Sequence, residues 1–293
     1  MKNKSARAEV VGHVFLIPWL IGFFGLTVIP MITSLYFSFT HYDMLTPPRW
    51  AGLYNYTHMF RDPRFLKSLS VTFRFVLTSV PLQLAFALFV AMALKKNRRG
   101  VRFYRAVYYL PSLFGGSIAV AILWRRIFSG DGILNMILGF FGIEGMNWIA
   151  SPPTALNTLI VLAIWQFGSS MVIFLASLKQ IPADYYEAAT IDGAGKIRQF
   201  FNITLPLLTP MVFFNIVMQI ISAFQAFTPA FIVSGGTGGP LDSTLLYSLY
   251  IYIRGFGQFQ MGYASAMAWM LLIIIATFTG VLFGTSKKWV FYD

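Results

Sequence analysis

Six separate runs of mostly apolar residues, each long enough to cross a bilayer, constrain this chain more than any other feature. They lie at about residues 14–39, 71–94, 106–124, 156–178, 211–233 and 263–285. A helix needs roughly 20 such residues to span a hydrocarbon core of ~30 Å. Of the 293 residues, 57% are hydrophobic and only 11% are charged, whereas soluble domains carry about a quarter charged residues. Inside lipid every backbone N–H and C=O has to be satisfied by the segment itself, which makes each run a helix. The expectation is an all-α membrane protein, one transmembrane domain over residues 1–293 with six transmembrane helices. Pro18, Pro30, Pro81, Pro111 and Pro229 fall inside the runs and predict kinks. The first run is longer than the core of a signal peptide, and no small-residue cleavage site closes it.

Charge sets the orientation. Six spans put both termini on one side, together with the loops 95–105 and 179–208. That side holds fourteen of the 22 lysines and arginines and five of the ten acids. The other side holds seven basic and five acidic residues, and Arg74 lies inside the second span. The positive-inside rule therefore predicts cytoplasmic termini. Arg125 and Arg126 oppose the trend but are outweighed by Lys95, Lys96, Arg98, Arg99, Arg102 and Arg105. The same distribution explains the net charge of +12 by a membrane, without nucleic acid. Arg74, one turn inside its span, either snorkels to the interface or makes a substrate or helix-pairing contact.

Several chemistries are excluded. No cysteine is present, so there are no disulfides, thiolate metal sites or cysteine nucleophiles. His13, His41 and His58 lack metal-ligand spacing. No G-x-x-x-x-G-K-[ST] phosphate loop occurs, and Gly235–Gly239 lacks the lysine and helix that would make it one. No catalytic or metal-binding residue is assigned.

The longest polar cytoplasmic segment runs from Ile181 to Pro210. Asp184, with Glu187 three residues on, has the form of a capping box opening a short helix. Ala188 and Ala189 leave a smooth face, Gly193 breaks the helix, and a second one runs through Phe200 and Ile203 to Leu205-Pro206. Spacing alone allows two readings: a hairpin packing on its own bundle, or one projecting toward a partner.

Glu187-Ala188-Ala189, Asp192-Gly193-Ala194, Phe200, Ile203, Leu205-Pro206 and Pro210 together resemble the EAA motif of bacterial ABC-importer permeases. Gly52-Leu53-Tyr54-Asn55-Tyr56, Leu241–Tyr252, Gly262-Tyr263-Ala264-Ser265-Ala266 and the ending Lys287–Asp293 are similar to the carbohydrate-uptake, maltose-transporter-type branch. The turn Ser234–Pro240 is slightly longer than that family's usual one. The resemblance implies a type I ABC importer permease fold in the bacterial inner (cytoplasmic) membrane. It implies a coupling helix that docks on an ATPase through Glu187, Ala188, Ala189, Asp192, Gly193 and Ala194. It also implies partners: a second, related permease, a dimer of cytoplasmic ABC ATPase that binds ATP and Mg, and an extracytoplasmic solute-binding protein delivering a sugar. This chain itself holds no cofactor.

A route through the membrane needs polar groups at bilayer depth. Asn215, Gln219 and Ser222 are spaced i, i+4, i+7 on one face of the fifth run, with Gln225 at its edge. Gln166, Ser169 and Ser170 form another such face beside Trp165, and Gln83 lies mid-way along the second run. Neutral amides and hydroxyls suit sugar hydroxyls, and an aromatic ring can stack on a pyranose. The same groups serve equally as interhelical hydrogen-bond glue. Gly280 and Gly284 form a G-x-x-x-G pattern that suits a packing face. The outer stretches 49–67 and 130–151 suit contact with a binding protein or the membrane surface, Ile133–Phe141 being apolar enough for the latter.

No acid or base sits at mid-depth and no inverted repeat is evident, which disfavours a secondary transporter. No catalytic cluster supports a membrane enzyme. The same machinery carrying glycerol phosphate or another polar solute is the competing assignment.

Overall fold

A computed structural model describes residues 15–95 and 99–291. The expectations at His13, Lys96, Arg98 and the two extreme termini lie outside the described residues. The chain forms two compact units, one of residues 1–61 with 251–270, the other of 62–250 with 271–293.

In the first unit, α1 (Phe15–Ser38) is the first apolar run. Most of its large side chains, Phe15, Trp19 and Leu26 among them, are exposed, with Val28 and Phe37 half-buried, as suits a helix covered by lipid or another chain. A two-stranded antiparallel hairpin follows, β1 (Thr40–His41) with β2 (Arg49–Trp50), and then α2 (Tyr54–Met59). Asn55 explains the Gly-Leu-Tyr-Asn-Tyr stretch: buried, its amide donates to the carbonyls of Ser38 and Thr40, both at 2.9 Å. It thereby ties the end of α1 to α2.

The second unit is built around α3 (Pro63–Leu94), 32 residues long. Asp62 accepts the Arg64 N–H at 3.0 Å and Pro63 opens the first turn, a strong N-terminal signal. At about 1.5 Å per residue the helix exceeds the hydrocarbon core. Hydropathy located only its apolar part, from residue 71. At its first turn Arg64 forks onto Asp242, at 2.7 and 3.0 Å, and the Tyr250 hydroxyl donates to Asp62 at 2.5 Å.

After α3 come α4 (Val101–Leu113), α5 (Ile118–Ile127) and α6 (Ile133–Phe140), then α7 (Pro152–Trp165) and α8 (Gly168–Gln180). Next are α9 (Ala183–Ile191) and α10 (Lys196–Gln199), followed by α11 (Leu205–Phe224), α12 (Thr228–Ser234) and α13 (Tyr247–Tyr252). Last is α14 (Met261–Ser286), whose first ten residues belong to the first unit. Helix α3 packs on α7, α8 and α11. Phe73, Phe224 and Phe278 close a three-ring cluster with centroids 5.5–5.6 Å apart, joining α3, α11 and α14.

Among the described residues five helices are long and apolar enough to cross a membrane, or six if α4 and α5 count as one span. That pair bends by 98°, so the expected helix over 106–124 is broken at Gly115-Gly116. The fourth run, Pro152–Gln180, counts as one span but is interrupted by a turn at Gln166–Phe167. Gly168 opens α8 directly against α4: a Cβ there would meet the Tyr108 carbonyl oxygen at 2.6 Å. The fifth helix stops at Phe224, short of residue 233, and α12 is separate. A Cβ added at Gly280 or Gly284 would meet nothing within 4 Å, so their expected packing face is open in this chain.

Candidate functional site

Two places carry the sequence-derived candidates. The first is the hairpin of α9 and α10. The cap differs from the expectation: Pro182 holds the N-cap position with no side-chain bond, and Asp184 sits in the first turn. There a carboxylate still favours the helix dipole. The other end has a specific chemical form. Gly193 is left-handed, with φ of 76°, its N–H donates to Thr190 O at 3.1 Å, and Ala194 N–H donates to Ala189 O at 2.8 Å. This pair of bonds is a Schellman motif, which only a residue tolerant of positive φ closes without strain. Asp192-Gly193-Ala194 is therefore a helix stop written into the sequence.

The two legs are stapled by Gln199, which is buried. Its amide donates to Thr190 Oγ1 at 2.9 Å and to Ala194 O at 3.0 Å. The Tyr186 and Thr204 hydroxyls bond at 2.9 Å, and the Lys95 ammonium lies 4.3 Å from the centre of the Tyr186 ring. The hairpin thus rests against the C-terminal end of α3. The second leg does not stop at Leu205-Pro206. A wide turn over Phe200–Thr204 carries it into α11 as one continuous 29-residue helix, Lys196–Phe224. Pro206 has no N–H to offer, and the shifted bonding of the wide turn just before it accommodates that loss. Glu187, Ala188, Asp192 and Gly193 are exposed, with Ala189 and Ala194 half-buried. The most exposed apolar side chains, Ile191 (87%) and Ile197 (78%), were not among the expected contacts.

The second place is a cavity of about 110 Å³ between α3, α7 and α11. Gln83, Gln166, Gln219 and Ser222 line it. Ser170 stands behind, accepting from Gln219 Nε2 at 3.1 Å. Asn215 is buried but bonds its own helix at Met211 O, 2.9 Å away. Trp165, Ser169 and Gln225 do not line the cavity and are exposed; the Trp165 ring packs on Trp124, centroids 5.7 Å apart. Gln166 also bridges the two helix breaks. Its Nε2 donates to Gly115 O at 3.0 Å, and its own carbonyl accepts from Gln83 Nε2 at 3.3 Å. Carbonyls freed where a span breaks need such partners.

Sequence reading missed Ser79. It lines the cavity, is 1% exposed, and its hydroxyl has no hydrogen-bond partner among the described residues. A serine in an apolar run carries no distinguishing signal; only its i+4 relation to Gln83 on α3 could have pointed to it. Among the described residues no charged side chain lines the cavity.

The architecture is a bundle of membrane-length apolar helices with a partly polar cavity and a capped helical hairpin. Residues 51–286 match the model of the binding-protein-dependent transport system inner membrane component, and the chain belongs to that family. It is 55% identical to the probable ABC transporter permease protein YesP of Bacillus subtilis, over all of this chain and 96% of that one. It is 30% identical to the lactose transport system permease protein LacF of Rhizobium radiobacter, over 96% and 95% of the two chains. Its fold is that of a chain of the bacterial alginate ABC transporter solved in complex with an alginate pentasaccharide-bound periplasmic protein. The TM-score is 0.82 at 19% identity, covering 97% and 96% of the two chains. The protein is an ABC transporter permease component with several membrane-spanning helices, and its family is not one of catalytic enzymes.

Proposed function

We propose that this chain is the membrane-spanning half of an importer for a sugar or oligosaccharide. An extracytoplasmic binding protein delivers the cargo and a separate ATPase pair, holding ATP and Mg, powers the cycle. A related permease supplies the other half of the route, in a bacterial inner membrane with both termini cytoplasmic. Relatives whose names specify lactose or multiple sugars favour this cargo class.

The observation that carries the reading is the uncharged cavity, where three glutamines and two serines converge at the helix breaks. Neutral donors and acceptors match hydroxyls, whereas a phosphate-bearing cargo calls for a cation. At about 110 Å³ the cavity falls well below the ~300 Å³ of a ligand pocket. This supports a site that the partner permease completes, or that opens when ATP closes the ATPases beneath the Glu187–Ala194 hairpin. Because that hairpin leg is continuous with α11, its displacement would be passed to Gln219 and Ser222.

The test is uptake of labelled sugars into vesicles holding the complete transporter. Gln219→Ala is expected to lower uptake about tenfold, a loss of roughly 1.4 kcal/mol, with ATPase assembly unchanged. Full transport through Gln219, Gln166 and Ser222 substitutions alike would remove the cavity from the route.

A further inference from the structure

The first unit contains a basin of about 520 Å³ that the reading above leaves without a role. It lies where α1 ends and α14 begins, among the β1–β2 hairpin, α2 and Phe259–Tyr263. Half of its lining side chains carry rings and the rest are polar; none is aliphatic. Four rings form a ladder: His41 to Tyr54 at 4.8 Å, Tyr54 to His58 at 5.7 Å and within 5° of parallel, His58 to Tyr263 at 5.4 Å.

The frame is rigid. Besides the Asn55 bonds, Gly262 N–H donates to Tyr42 O at 3.0 Å. A Cβ on Gly262 would collide with the Thr40 carbonyl oxygen, so only glycine permits this approach. Phe259, on the rim, is held left-handed at φ of 55°, a conformation that costs a bulky residue strain and is kept where surroundings impose it. Arg254 packs over the Tyr263 ring at 5.3 Å and donates to Gln260 Oε1 at 3.1 Å.

Within this frame several polar groups are unspent. The imidazoles of His41 and His58, the Arg49 guanidinium and Asp43 Oδ2 make no hydrogen bond to a described residue. Asp43 Oδ1 accepts from Thr46 N–H at 2.8 Å, Thr46 Oγ1 at 2.9 Å and Leu45 N–H at 3.1 Å. The bond from the Thr46 backbone is the main reason its carboxyl is held below the ordinary range.

A lining without aliphatic residues among the described ones does not suit an acyl chain or an apolar partner helix. A single guanidinium does not suit a polyanion. Rings that cover C–H faces, beside a fixed carboxylate, a guanidinium and imidazoles able to bond hydroxyls, suit a saccharide ring. The volume also falls within the range of small-molecule sites. We propose that this basin is a second saccharide-binding subsite; the proposal rests on the sugar reading of the transporter.

The experiment uses the complete transporter in nanodiscs without binding protein. The probes are maltotriose, an arabinotriose and a triuronate, read by saturation-transfer NMR. At least one is expected to receive saturation from aromatic protons, with affinity falling tenfold or more in the Tyr54→Ala/His58→Ala double variant. Tyr54 and His58 are exposed, so the fold should survive; Arg49→Gln gives an independent second reading. Gln219→Ala should keep the signal. No binding, binding that persists in the double variant, or signal lost only in Gln219→Ala overturns the proposal. So does a double variant that still binds sugar but no longer recruits the binding protein, which would make the basin a protein-docking surface. If the basin fails while vesicles still import sugar, only the subsite is lost. If the wild type imports none of the probes, the sugar reading falls and takes the subsite with it.

Discussion

The hairpin of α9 and α10 and the cavity between α3, α7 and α11 use polar side chains in opposite ways. In the hairpin the polar groups serve one another. Gln199 closes Thr190 and Ala194, and Tyr186 closes Thr204. What remains facing outward includes the bare carbon of Ile191 and Ile197. Around the cavity the three glutamine amides each keep one bond, to Gln166 O, Gly115 O and Ser170 Oγ, while the Ser79 hydroxyl has no partner among the described residues. A surface that satisfies its own hydrogen bonds and exposes carbon is suited to a protein, since docking buries apolar area without stranding a polar group. A cavity with unmet donors and acceptors is suited to a polar solute. On the proposed function, the two ends of the continuous helix Lys196–Phe224 would answer to different partners.

The largest effect should come from the hairpin's turn. Gly193→Pro replaces a φ of 76° by one locked near −65° and removes the N–H that Thr190 O accepts. A loss of ~3 kcal/mol or more in local stability is expected. Transport should vanish while membrane insertion stays normal. Uptake and co-purification of the ATPase should be measured together; normal values of both would break the contrast at its hairpin end.

Ile191→Asp probes the exposed carbon. Ile191 is 87% exposed, so the chain itself should fold as before. Should the ATPase cover this position, the charge would be buried on docking, weakening assembly about 30-fold, or ~2 kcal/mol. Titrating the purified ATPase onto vesicle-embedded permease reads this directly. An unchanged affinity would mean that Ile191 lies outside the docked surface.

Much of this contrast was legible in the sequence because it depends on local chemistry. Asp192-Gly193-Ala194 stops a helix wherever it occurs, and 20-residue apolar runs admit few alternatives. What stayed hidden depends on direction or on distant partners. Hydropathy is similar on both sides of Gly115-Gly116, so it could not register a 98° bend. Leu205-Pro206 reads as a helix stop, so the hairpin leg and the fifth span read as separate pieces, whereas the wide turn at Phe200–Thr204 accommodates the proline inside one helix. Of the face Asn215, Gln219 and Ser222, the last two line the cavity, while Asn215 bonds its own helix, which spacing alone does not register. Ile191 and Ile197 carried no signal of their own, since exposure follows from what is absent around a residue. Ser79 was invisible for the converse reason: its role is defined by a cavity that three separate helices make.

The smallest effect sharpens the contrast most, because it has opposite signs in two measurements. A buried hydroxyl without a partner costs ~1–3 kcal/mol relative to an apolar group of similar size. Ser79→Ala removes that hydroxyl from a site 1% exposed and changes the volume by little. Thermal unfolding of the purified permease should therefore rise by a few degrees, while uptake should fall about threefold as one donor to the cargo is lost. In the hairpin no such gain is available, because Thr190, Gln199 and Thr204 are already engaged and losing any of them strands its neighbour. A Ser79→Ala permease with lower stability would mean that an ordered water satisfies the hydroxyl and that the cavity is structural. Higher stability with undiminished uptake would leave Ser79 an idle defect. Only the pairing of greater stability with weaker transport marks a group held unsatisfied for a passing solute.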